Sequence, residues 1–137
     1  LAPSSVGLPA PDCLVHSSSG ASHRLSELAA TSGWLLLVSS VFGCEEALAQ
    51  LFSLTDQLTV ISGDNANALQ RAAVAASAPV YCDPSLLFAR LYGISAAANG
   101  CHFGLFQLQN GWIRSSLITE HANFAYWQAL LTHAAQP

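Results

Sequence analysis

Trp34-Leu35-Leu36-Leu37-Val38-Ser39-Ser40-Val41-Phe42-Gly43-Cys44 is the stretch that decides the fold. Its first five residues are an apolar run of strand length, the kind buried on both faces of a sheet. Ser39 to Gly43 reads as a connection. At Cys44 the period changes: Cys44, Ala47, Leu48, Leu51 and Phe52 fall at i, i+3, i+4, i+7 and i+8, one face of a helix that runs to about Asp56. The pattern places a thiol in the first turn of a helix, just past the carboxyl end of a buried strand. Helix N-termini stabilise anions, so a thiolate is favoured there and its pKa falls. Thiol redox chemistry uses that geometry.

Outward from this junction the same alternation continues. Residues 1–12 are rich in Pro, Ser and Gly and read as an irregular lead-in, and Ser17 to Gly20 as a turn. A short helix is expected from Leu25 to Ala30. Downstream, Leu58-Thr59-Val60-Ile61-Ser62 is a second buried strand, ended by Gly63-Asp64. A helix is expected over Ala66–Ala76, and a short strand over Pro79–Cys82. Asp83-Pro84 then supplies an N-cap and a Pro at the first helical position, with Gly93 closing that helix. Gly104 to Gln109 alternates, turns at Asn110-Gly111 and continues as Trp112 to Leu117, a hairpin signature. A last helix over Ala122–Ala134 sets Phe124, Trp127, Leu131 and Ala134 on one face. The order β-α-β-α-β-α-β-β-α makes an α/β layered sheet, mixed because of its terminal hairpin. The whole chain, 1–137, reads as a single domain.

Composition narrows the function classes. The net charge is −4, there is no Lys, and the four basic residues (Arg24, Arg71, Arg90, Arg114) are scattered. No basic patch arises, so no nucleic-acid partner is expected. Only 9% of residues are charged while 52% are hydrophobic, so much of the exterior must be neutral. That fits a surface covered by a protein partner or a second copy of the chain, and equally an Ala-rich composition. No apolar run approaches the roughly 18–20 residues of a membrane span, and no signal peptide is visible. The chain holds no Met and begins at Leu1. The expectation is a processed organellar protein or an excised domain that is soluble, its compartment unread.

The order of elements and the words inside it resemble the peroxiredoxin branch of the thioredoxin fold. Gly7-Leu-Pro-Ala-Pro-Asp12 is similar to that family's opening G-x-x-A-P-D-F, with Cys13 at the aromatic position. Ser22–Leu28 matches its Leu-rich segment, and Leu58–Asp64 its second central strand ending in I-S-x-D. Cys82-Asp83-Pro84 with Ala89-Arg-Leu-Tyr-Gly93 resembles its S-D-P and Y-G-V element, and Gly104–Arg114 its G-L-F hairpin. The resemblance spans nearly the whole chain. It implies a thioredoxin-like mixed sheet flanked by helices and a thiol-dependent peroxidase, with a peroxide substrate, a thiol reductant and no cofactor. It makes Cys44 the peroxidatic candidate.

The catalytic words depart from the family pattern P-x-x-x-T/S-x-x-C. Counting back from Cys44, the Thr/Ser position holds Val41 and the Pro position Leu37; Ser39 and Ser40 are spatial stand-ins. The activating Arg before G-L-F is replaced by Phe103, with His102 the nearest polar residue. A peroxidatic thiolate needs donors that polarise the peroxide O–O bond. Losing the Thr hydroxyl and the Arg guanidinium leaves the helix dipole, worth roughly 0.3–1 kcal/mol. Activity at Cys44 is therefore expected to be impaired or lost.

Each candidate has a plainer reading. Cys44 also fits the apolar face of its helix as a core residue. In this fold Cys101 precedes the strand antiparallel to Trp34–Val38, which makes it a resolving candidate, or else a buried thiol. His102 is a candidate base for Cys44, or a structural histidine. Glu45 and Glu46 suit a helix N-terminus but oppose a neighbouring thiolate. Cys13 and Cys82 read as small packing residues, and Asp83 as an N-cap. His16, His23, His121 and His133 receive no role. No Cys or His pair has zinc spacing, so no metal is assigned. The alternative function is a non-catalytic thioredoxin-like domain serving assembly or protein–protein interaction. It would be a subunit of a larger complex or the C-terminal domain of a flavin hydroxylase, whose domains also open with A-P and close with a Gly hairpin. The I-S-x-D strand favours the peroxiredoxin side.

Overall fold

The computed structural model describes residues 7, 9–10, 12, 14–17, 19–28, 32–38, 40–42, 45–55, 57–71, 80–83, 103–119 and 124–135. Its elements are β1 (Leu14–His16), β2 (Ser22–Arg24), α1 (Leu25–Leu28), β3 (Ser32–Val38), α2 (Glu45–Leu54), β4 (Leu58–Ser62), α3 (Ala66–Gln70), β5 (Val80–Cys82), β6 (Phe103–Gln109), β7 (Trp112–Thr119) and α4 (Phe124–Ala135). The strands form one seven-stranded sheet in the order β2-β1-β5-β4-β3-β6-β7.

The two apolar runs occupy the centre, as their composition demands. β3 and β4 pair in parallel with Trp34 opposite Leu58 and Val38 opposite Ser62. β6 runs antiparallel on the other side of β3, Phe103 opposite Val38. Leu35, Leu36, Leu37, Val60 and Ile61 are fully buried, as expected of strands covered on both faces. β5 continues the parallel set beside β4. Parallel connections cross over right-handedly, which sends α2 and α3 to one face of the sheet. There Leu48, Leu51 and Leu69 pack with Trp34, Leu36, Val38, Val60 and Cys82, and Trp127 and Leu131 of α4 complete the layer. On the other face Val15, Leu25, Leu35, Leu37, Ile61, Phe106, Leu108 and Ile113 form a second core.

Asn110 (φ 54°) and Gly111 (φ 81°) make the two-residue turn between β6 and β7. Two successive positive φ values give the mirror-image turn whose twist matches a hairpin. The β6–β7 register slips after Gln107: Gln107 opposes Ser115 and Leu108 opposes Ile113, so Arg114 is the extra residue of a bulge. Backbone bonds from Gly7 N–H to the Ile113 carbonyl and from Ala10 N–H to the Gly111 carbonyl, both 2.8 Å, lay the N-terminal segment along the start of β7.

The hairpin β1–β2 is absent from the sequence reading. Each strand has three residues, too few for a period, and their pairing with each other and with β5 completes the sheet edge. The tail of the helix expected over Ala66–Ala76, the Pro84–Gly93 helix and the end of the Leu25–Ala30 helix fall outside the described residues.

Candidate functional site

Ligand sites of α/β sheets gather beyond the carboxyl ends of the parallel strands. Here those ends line up in one row. Val38 of β3 opposes Ser62 of β4, Ser62 opposes Cys82 of β5, and Cys82 opposes His16 of β1. Past this row lie the connection from β3 to α2 and the one from β4 to α3.

Asp64 joins the two connections. Its Oδ1 accepts from the Ser40 hydroxyl at 2.8 Å, and its Oδ2 accepts from the Val41 backbone N–H at 2.8 Å. Oδ2 also accepts from the Ser62 hydroxyl at 2.5 Å, and Ser62 Oγ in turn accepts the Asp64 N–H at 3.0 Å. Ser40 Oγ accepts from the Phe42 N–H at 3.2 Å. Gly63 N–H donates to the Val38 carbonyl at 3.1 Å, extending the ladder by one bond past the strand end. An ionised carboxylate is an acceptor with room for several donors, and bonds to it are stronger than neutral ones. The loop that leads to α2 is thus fixed at Ser40 and Val41 by a residue more than twenty positions away, and Phe42 is tied to Ser40 in turn.

The Val41 side chain is fully buried and packs in the core with Val38, Leu48 and Leu51. It stands at the register position of the hydroxyl donor in the family motif and offers only carbon. Ser40, a stand-in for that donor, directs its hydroxyl proton to Asp64. Phe42 is 46% exposed. Glu45 opens α2 with Glu46 in the same turn, and Glu45 Oε1 is buried with no hydrogen-bond partner among the described residues.

Cys82 is buried at the end of β5, its sulfur 4.0 Å from the Ser17 carbonyl oxygen. Burial pushes its thiol above the usual range; a hydrogen bond with its own backbone opposes this, and the Asp83 and Asp64 carboxylates add to the rise. Such a thiol stays protonated and inert near neutral pH. His16 Nδ1 lies 3.2 Å from Ser22 Oγ, and the His23 ring meets Tyr81 edge-on at 5.5 Å. Both contacts brace the β1–β2 edge.

Cys44, Cys101, His102, Cys13 and Ser39 lie outside the described residues, and the Phe103 backbone is placed opposite Val38. Among the described residues no group of three or more His, Cys, Asp or Glu is placed to hold a metal ion, and no helix is long and apolar enough to cross a membrane. The residue that sequence reasoning missed is Asp64. It appears in the motif I-S-x-D, but a single sequence gives no sign that its carboxylate reaches the loop before Cys44.

No protein-family model and no curated protein matches the chain in sequence. Solved structures do match. The thiol peroxidase from Chromobacterium violaceum superposes with a TM-score of 0.71 at 14% identity, over 96% of this chain and 88% of that one. Reduced Prx3 from Vibrio vulnificus gives 0.71 at 18% identity, over 97% and 99%. A protein assigned as the thiol:disulfide interchange protein DsbE from Chlorobium tepidum gives 0.62 at 19% identity, over 95% and 97%. With its mixed seven-stranded sheet flanked by helices, this chain has the thioredoxin-like fold in the form that peroxiredoxins share.

Proposed function

We propose that the chain is a peroxiredoxin-like thiol redox protein that reacts with peroxides at Cys44, and that it does so slowly. The observation that carries the second half is Val41, an apolar and fully buried side chain at the hydroxyl-donor position, beside a Ser40 whose proton goes to Asp64. In the step proposed, the Cys44 thiolate attacks one peroxide oxygen, the S–O bond forms and the O–O bond breaks. Sulfur loses two electrons and becomes a sulfenic acid; the departing oxygen takes a proton and leaves as water or alcohol. An external thiol, or Cys101 within the chain, then reduces the sulfenic acid through a disulfide, with His102 a candidate base. Each donor aimed at developing charge contributes about 100- to 1000-fold. A site short of two such donors falls towards the rate of a free thiol, and Glu45 and Glu46 push the same way by disfavouring the thiolate.

Trapping with a sulfenic-acid reagent tests this reading. After peroxide treatment the adduct is expected on Cys44 alone, lost in Cys44→Ser and retained in Cys13→Ser and Cys82→Ser. Equal labelling of all four cysteines contradicts it.

A second reading is favoured by one observation, the exposed aromatic ring of Phe42 two residues before Cys44. In that reading the domain is non-catalytic and serves assembly, with Phe42 docked on a protein partner. It predicts no sulfenic acid on Cys44 at all, so the trapping experiment separates the two.

A further inference from the structure

We infer that Asp64 is a positioning residue for the Cys44 thiol, an inference that rests on the reading of Cys44 as the reactive group. The loop between Val38 and Glu45 carries Cys44, and the carboxylate grips that loop at consecutive residues, through the Ser40 hydroxyl and the Val41 N–H, both at 2.8 Å. The grip is itself anchored. Ser62 binds Asp64 from both directions at the end of β4, and Gly63 ties the same turn to the Val38 carbonyl. Ser62 is fully buried at the end of a central strand, so the anchor belongs to the buried centre of the sheet. Val41 itself is fully buried, in the same core cluster as Leu48 of α2. The carboxylate and the valine together set where the chain enters the first turn of α2. In this inference, that entry governs how much the first free N–H groups of the helix do for the thiol that precedes Glu45 in sequence.

Asp64 can affect Cys44 in two ways with opposite signs. As a negative charge it opposes the thiolate. As a tether it holds the loop in the arrangement that lets the helix N-terminus stabilise the thiolate. Asp64→Asn separates them. Asn is the same size, its Oδ1 can accept from Val41 and Ser62, and the Ser40 hydroxyl can rotate to accept from its NH₂. The tether survives and the charge goes. Asp64→Ala removes both.

The test is the pH–rate profile of Cys44 alkylation by iodoacetamide, followed by peptide mapping in wild type, Asp64→Asn, Asp64→Ala and Ser40→Ala. The midpoint reports the thiolate, and no peroxide is needed, so failure of the peroxidase reading and failure of this inference remain distinguishable. Asp64→Asn is expected to hold the midpoint at or below wild type. Asp64→Ala is expected to raise it, with about two- to fivefold less thiolate at neutral pH, the span of a helix-terminus effect. Ser40→Ala removes one tether with the carboxylate intact and should shift the midpoint the same way by less. If Asp64→Ala and Asp64→Asn shift together, the residue acts as a charge and the inference is overturned. If Asp64→Ala lowers thermal stability with the midpoint unmoved, its role is structural and the inference is overturned. Should Asp64→Ala not fold, an unmoved midpoint in Ser40→Ala overturns it as well.

Discussion

Cys82 shows how burial and charge set the behaviour of a single thiol here. It lies in the row that runs from Val38 through Ser62, yet it is buried in the same core as Val80, Leu69 and Val60 and is subject to the charge of the Asp83 and Asp64 carboxylates. Burial raises its pKa first, and the carboxylates act in the same direction. In native protein at about pH 7.5 a maleimide should leave Cys82 unlabelled and should label it once urea unfolds the chain. The same shift has a consequence for stability. The unfolded thiol ionises near its ordinary value of 9.0 and the folded one higher. Below pH 9.0 the contribution is therefore fully present, and it is lost as pH rises from there through the folded value. Unfolding midpoints in urea should fall across this range more steeply in wild type than in Cys82→Ala. Equal slopes, or rapid native labelling, contradict the assignment. The residue-scale features of the site were only partly legible in sequence. Val41 in place of a hydroxyl is visible by counting back from Cys44. That Ser40 gives its proton to Asp64 depends on a contact spanning 24 positions, and no local pattern encodes it.

At the scale of elements, sequence served best where one force dominates. β3 and β4 are uninterrupted apolar runs, and only a doubly covered central position buries them; β4 spans Leu58–Ser62 as read. The β6–β7 hairpin follows from Asn110-Gly111, because few residues besides Gly and Asn accept positive φ cheaply. No atom lies within 4 Å of where a Cβ on Gly111 would sit, so a side chain there meets space, and the whole penalty is its φ of +81°. Gly111→Ala should thus cost about 1–2 kcal/mol, read as a lower urea midpoint with an unchanged slope. A neutral effect would mean that the turn differs from the one described. The helix starting near Cys44 was readable from its period, and its first described residue is Glu45. The β1–β2 hairpin was not readable. Its three-residue strands are held by Arg24, His23 and Ser22 pairing with Leu14, Val15 and His16, and by one bridge to Cys82, which is tertiary context rather than local propensity.

On the scale of the whole molecule, the sheet and its two cores place the ends of three parallel strands side by side, and the chemistry on offer there is sparse. A thioredoxin-like sheet, a helix described from the residue after Cys44 and an Asp64 tether make up the scaffold that the proposed reading assigns to a reactive thiol. In the proposed reading, Val41 and Phe103 stand where the donors that would make it fast are expected. The central claim is that this scaffold holds a thiol without its activating set. The most direct measurement is the second-order rate constant for oxidation of Cys44 by hydrogen peroxide, in wild type and in the double variant Val41→Thr with Phe103→Arg. The account predicts a wild-type rate within about tenfold of a free thiol, the reach of a helix terminus alone, and a faster double variant. A wild-type rate orders of magnitude above a free thiol, unchanged by the double substitution, would contradict it and hand the missing roles to Ser39 or His102.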